Sequence, residues 1–142
     1  MRITNLEALK KEAEKLIQQL HPGDRATLIT LSGELGAGKT TFTQALAEVL
    51  GIDETVTSPT FVLEKIYALP TESSFHHLVH IDAYRLNGGS ELSALGFIAL
   101  MEDPGNLIVL EWPERVADAL PQATVAVTLV SETDGSRLIS YA

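Results

Sequence analysis

The segment Gly33-Glu34-Leu35-Gly36-Ala37-Gly38-Lys39-Thr40 follows an apolar run, Ala26 to Leu31, and leads into the helical pattern Phe42-Thr43-Gln44-Ala45-Leu46-Ala47. It satisfies Gly-x-x-x-x-Gly-Lys-Ser/Thr in full, and it stands where that pattern has physical meaning, after a strand and at the opening of a helix. Glycines let the backbone curl so that successive N–H groups point inward around an anion. The positive end of the following helix adds to the field at the same place. A glycine-rich strand-to-helix turn that merely matches is the alternative; strand, full octet and helix together argue against it. The expected ligand is a nucleoside triphosphate held along Leu35, Gly36, Ala37, Gly38, Lys39, Thr40 and Thr41. Lys39 can reach the β- and γ-phosphates, and the Thr40 hydroxyl can ligate Mg²⁺.

The rest of the chain is read around that loop. Leu6, Leu9, Ala13, Leu16, Ile17 and Leu20 recur at helical spacing. Thr4 and Glu7 predict a capping box in front, and His21-Pro22-Gly23-Asp24 a stop. A helix from Gly38 to Leu50 should close at Gly51. Strands are expected at Ala26–Leu31, Phe61–Leu69, Leu78–Leu86, Leu107–Leu110, Thr124–Val130 and Arg137–Tyr141. Further helices are expected at Gly89–Met101 and Glu114–Leu120. Strands alternating with helices indicate an α/β fold: one phosphate-loop (P-loop) domain over residues 1–142, with a mixed, mainly parallel central sheet and flanking helices.

A phosphate-cleaving site also needs a second metal anchor and a group that orients water. Leu107-Ile108-Val109-Leu110-Glu111 reads as a buried strand with an acid at its C-terminal end, where ligands of open α/β sheets gather. Glu111 is therefore a candidate Mg²⁺ ligand beside Thr40, or a charge meeting solvent at a strand end. In His80-Ile81-Asp82-Ala83-Tyr84, period-two geometry places His80, Asp82 and Tyr84 on one strand face. Asp82 then orients water or acts as a general base, or the face is that of an exposed edge strand. His76, His77 and His80 read as surface or edge-strand residues rather than metal ligands. Thr57 and Thr60, in Thr57-Ser58-Pro59-Thr60, either touch the γ-phosphate or belong to an ordinary loop entering a strand.

Composition narrows the class. The 142 residues carry a net charge of −9 and no cysteine, which disfavours direct tracking of nucleic-acid phosphates and excludes disulfides. No apolar run approaches the ~20 residues of a membrane span, so no membrane role is expected. The N-terminus lacks a signal-peptide core, and a cytoplasmic location is expected. An Asn-Lys-x-Asp motif and an Asp-x-x-Gly switch are both missing, against a Ras-like GTPase. The arginines at 2, 25, 85, 115 and 137 are scattered, unlike a kinase lid. A small P-loop kinase and a nucleotide-gated binding module without meaningful hydrolysis nonetheless remain alternatives.

The motifs GELGAGKTTF, SPTF, HIDAYRL and EWPE, in that order and spacing, resemble those of the bacterial ATPase family of tRNA threonylcarbamoyladenosine biosynthesis, TsaE (YjeE). The resemblance covers nearly the whole chain. It implies an Mg²⁺-dependent ATPase that acts beside the partner proteins TsaB and TsaD, which install the threonylcarbamoyl group on tRNA adenosine. Because no arginine here is an obvious finger, slow hydrolysis by the chain alone, stimulated by those partners, is expected. tRNA would be met indirectly, through that complex. Carried over by motif, Lys39, Asp82 and Glu111 are the catalytic residues, with Thr40 and Glu111 on the metal. Trp112 falls on a motif aromatic near the site, or else packs in the core. The adenine side implied by the resemblance points to Thr4, Gly135 and Glu114. Arg85 is the nearest arginine-finger candidate by motif.

Overall fold

The computed structural model describes residues 1–34, 36–53, 56 and 64–142. Its centre is a seven-stranded sheet in the order β1-β7-β6-β2-β5-β4-β3. The strands are β1 (Arg2–Ile3), β2 (Thr27–Ser32), β3 (Glu64–Ala68), β4 (His77–Asp82), β5 (Asn106–Glu111), β6 (Val125–Ser131) and β7 (Arg137–Tyr141). Strands β6, β2, β5 and β4 run parallel through the middle, while β7 and β3 run against them at the flanks. The mixed, mainly parallel sheet expected from the sequence is the one found.

Alternation along the strands sorts the core into two layers. Ile29, Leu31, Leu78, Leu107 and Val109 join the face covered by α1 (Leu6–Gln19) and α2 (Lys39–Val49). Leu28, Val79, Ile81, Ile108 and Leu110 join the opposite face, under α3 (Gly89–Ala94), α4 (Phe97–Glu102) and a 3-10 helix (Pro113–Ala119). Every residue of β5 is buried, which is why LIVL reads as a continuous apolar run: both of its faces are covered. The helix ahead of Gly51 ends at Val49 with Leu50 as its cap, as expected within a residue.

Several expectations are corrected. The cap of α1 is Asn5, not Thr4: Asn5 Oδ1 accepts from the Ala8 N–H at 2.8 Å. The two-residue strand β1, too short to show a period, holds the chain extended by pairing Ile3 with Arg137, so the helix starts one residue late. The expected helix Gly89–Met101 is two helices, broken at Gly96, whose φ of +81° is open to glycine at little cost. That break lets Leu92, Phe97 and Met101 enter the same apolar layer. The expected strand Leu78–Leu86 stops at Asp82, because Asp82 Oδ1 accepts from the Tyr84 N–H at 3.0 Å and turns the chain. Tyr84 therefore leaves the strand face. The segment near Glu114–Leu120 is a 3-10 helix that begins at Pro113 and kinks at Val116. Thr57, Thr60, Leu35 and the first three residues of the strand expected at Phe61–Leu69 lie outside the described residues.

Candidate functional site

Parallel pairing brings the chemistry to one edge of the sheet. Strand β2 ends at Ser32 and passes straight into the glycine loop, which feeds α2 at Lys39. In the neighbouring strand, Leu31 is in register with Glu111, and Glu111 is in register with Asp82 one strand further. The loop, Glu111 and Asp82 thus stand at the C-terminal ends of three adjacent parallel strands, where α/β sheets bind their ligands. Period-two geometry puts Asp82, His80 and Glu111 on the α2 face of the sheet, toward Lys39 and Thr40.

Glu111 is 2 % exposed, yet both its oxygens are addressed. The Thr40 hydroxyl lies 3.4 Å from Oε2 and 3.5 Å from Oε1. His80 Nε2 lies 2.5 Å from Oε2. This corrects the surface reading of His80: it is 0 % exposed, because β4 is an interior strand between β5 and β3. Its Nδ1 has no hydrogen-bond partner among the described residues. His76 is exposed and His77 half-buried at the start of β4, as expected of surface positions.

Lys39 is the cation at the centre. Its ammonium donates to the carbonyls of Gly33 and Glu34, and it lies 4.1 Å from the centroid of the Trp112 ring. Burial pushes its pKa below the ordinary lysine value, while the carboxylates of Glu111, Glu114 and Asp82 push it back up. Glu114, exposed at the start of the 3-10 helix, is thereby brought to the site. Trp112 fills both roles the sequence left open. It packs against the apolar layer under α3, α4 and the 3-10 helix and against the Tyr84 ring, and its face meets Lys39. It holds a left-handed φ of +62°, the sole non-glycine positive φ among the described residues.

The donor set suits a hard divalent cation. A buried carboxylate beside a threonine hydroxyl offers oxygen ligands, as Mg²⁺ prefers. Among the described residues no group of three or more His, Cys, Asp or Glu is arranged to hold a metal unaided.

The back of the loop is held by the last hairpin. Ser131 Oγ donates to the Gly36 carbonyl at 3.2 Å, and Arg137 Nε donates to the Ala37 carbonyl at 3.0 Å. A Cβ on Gly33 would stand 2.5 Å from the Leu129 carbonyl oxygen, so only glycine lets the loop run this close to β6. Arg137 carries no motif; only the register of β7 brings one of five scattered arginines under the loop. Thr4 follows Ile3, the register partner of Arg137, and Gly135 lies in the turn that opens β7, so both stand at the loop's end of the sheet. No described contact joins either of them to the loop. Arg85 is exposed, and no described contact ties it to the site; it is Arg115 that lies 5.3 Å over the Tyr84 ring.

Comparison with known proteins gives one consistent answer. The family model described as threonylcarbamoyl adenosine biosynthesis protein TsaE matches residues 3–139. A tRNA threonylcarbamoyladenosine biosynthesis protein TsaE of Streptomyces coelicolor is 42% identical over 115 residues, 80% of this chain and 73% of that protein. The protein of the same name from Bacillus subtilis is 37% identical over 143 residues, covering 99% of this chain and 82% of that one. Among solved structures, Bacillus subtilis YdiB superposes with a TM-score of 0.77 at 30% identity, over 99% of this chain and 82% of that chain.

Proposed function

The chain belongs to the TsaE family of threonylcarbamoyl adenosine biosynthesis proteins, and from that premise we propose that it binds and hydrolyses ATP with Mg²⁺ in support of tRNA threonylcarbamoyladenosine formation. The observation that carries this reading is the convergence of Lys39, Thr40, Asp82 and Glu111 around the glycine loop. A module that only held nucleotide would need the loop but not two acids in register beside it.

The loop N–H groups and Lys39 would bind the phosphate chain. Asp82, at the end of β4, would orient the attacking water. Mg²⁺ held by Thr40 and Glu111 would neutralise negative charge on the phosphoryl oxygens. Positioning and charge neutralisation supply most of the rate in such sites. Arg85 is exposed with no described contact to the site, and Arg137 Nε is engaged with the loop backbone; we read neither as a finger. A missing finger costs ~10³–10⁵ in rate, and slow turnover by the isolated chain follows. Partners of the TsaB and TsaD type would raise it. The net charge of −9 favours contact with proteins over a direct grip on tRNA, which the partner complex would present.

The test is ATP titration together with a reconstituted tRNA modification reaction, using wild type, Lys39→Ala and Asp82→Ala. Lys39→Ala should weaken ATP binding by at least about tenfold, the loss of one charge-assisted phosphate contact. Asp82→Ala should bind ATP normally yet fail to support modification. Wild-type behaviour from Asp82→Ala would remove the hydrolytic reading.

A further inference from the structure

Arg137 sits about a hundred residues from the glycine loop in sequence, and none of the motifs that define the site includes it. Its Nε–H donates to the Ala37 carbonyl at 3.0 Å, while Ser131 ties the preceding carbonyl, that of Gly36, at 3.2 Å. The arginine also lies flat against Gly38: a Cβ there would stand 2.5 Å from Nε, 2.9 Å from Cδ and 3.2 Å from Cζ. A side chain at Gly38 would push the arginine aside, and the glycine's own φ of +100° is one that L side chains rarely adopt.

A trans peptide is planar, and its N–H points opposite to its C=O. Fixing the Ala37 carbonyl therefore fixes the direction of the Gly38 N–H, which opens α2 and is one of the donors expected to face phosphate. The neighbouring Ala37 N–H is already used within the loop, on the Glu34 carbonyl at 3.0 Å. We infer that Arg137 is a positioning residue for the phosphate loop, holding the Ala37 carbonyl so that the Gly38 N–H is aimed at the phosphate chain. This rests on the nucleotide reading above.

Two substitutions separate the hydrogen bond from the charge. Arg137→Gln keeps an N–H donor at the position of Nε and removes the guanidinium; Arg137→Met keeps the length and removes the donor. The ligands are ATP and inorganic tripolyphosphate, each titrated against the full chain, with melting temperatures recorded without ligand. Arg137→Met should weaken both ligands by the same factor, about three- to tenfold, the worth of one net hydrogen bond. Arg137→Gln should stay within about twofold of wild type for both, since the donor is retained. A residue with only a structural part would lower the melting temperature and leave the affinity of the folded variant unchanged, which overturns the inference. An arginine that instead touches the base would cost ATP affinity and spare tripolyphosphate, and that result also overturns it. So does an Arg137→Gln loss as large as that of Arg137→Met. Should wild type bind neither ligand, the nucleotide reading falls and this inference falls with it. Wild-type binding with an unaltered Arg137→Met overturns the positioning role alone.

Discussion

Removing the His80 imidazole isolates a carboxylate in the protein interior, and the cost can be worked from the contacts. Glu111 Oε2 has His80 Nε2 at 2.5 Å and the Thr40 hydroxyl only at 3.4 Å. His80→Ala takes away the short bond, and hydrogen bonds to charged groups are worth about 1.5–3 kcal/mol. The ring is fully buried, so the void it leaves adds a further ~1–2 kcal/mol. The sum, about 2.5–5 kcal/mol, corresponds to a fall in melting temperature on the order of 10 °C for a chain of this length. The two contributions separate in a double-mutant cycle with Glu111→Ala, followed by urea unfolding. Once the carboxylate is gone, His80→Ala should cost only the void, giving a coupling of about 1.5–3 kcal/mol. Additivity within ~0.5 kcal/mol would refute the pairing. It would mean that the buried ring acts as a space-filler and that Glu111 is held by something else.

Thr40→Ala should leave ATP affinity unchanged in EDTA and lower it when Mg²⁺ is added; equal loss in both conditions would place the hydroxyl on phosphate rather than metal. In Gly33→Ala the new Cβ meets a backbone oxygen, Leu129 O at 2.5 Å, which cannot swing aside. The variant should lose roughly 2 kcal/mol or more of stability in urea together with ATP affinity, and wild-type values would contradict the close approach. Tyr141 donates to Glu12 Oε1 at 2.6 Å, and burial, the bond and the Glu12 charge raise its pKa above the ordinary 10. A folded-state pKa above the unfolded value gives stability that is present below about pH 10 and lost as pH rises further. The stability gap between wild type and Tyr141→Phe should therefore shrink between about pH 9 and pH 12, and a constant gap would contradict the bond.

The parts of the site legible in the sequence were those fixed by local spacing. The glycine loop, its lysine and threonine, and the acid ending LIVL are each set by a few consecutive residues, and the structure brings them together. What sequence could not supply was tertiary. His80 looked like a surface residue because one polar side chain in a strand does not reveal what covers its face; β4 is interior to the sheet, and His80 lies on the face that α1 and α2 cover. Arg137 was invisible for a similar reason, since its meaning lies in the register of a hairpin. The Asn5 cap and the break at Gly96 lost to local signals of equal strength, a Thr–Glu pair and an apolar period. Only the strand pairing of Ile3 and the shape of the core layer under α3 and α4 decide between them.

The most direct measurement is steady-state release of phosphate from ATP by the purified chain, alone and with TsaB- and TsaD-type partners, for wild type and Glu111→Ala in the presence of Mg²⁺. A hydrolytic site predicts slow release by wild type alone, a clear rise with the partners, and loss of both in Glu111→Ala. Partner stimulation that survives in Glu111→Ala would contradict it, and would leave the glycine loop as a nucleotide holder that breaks no bond.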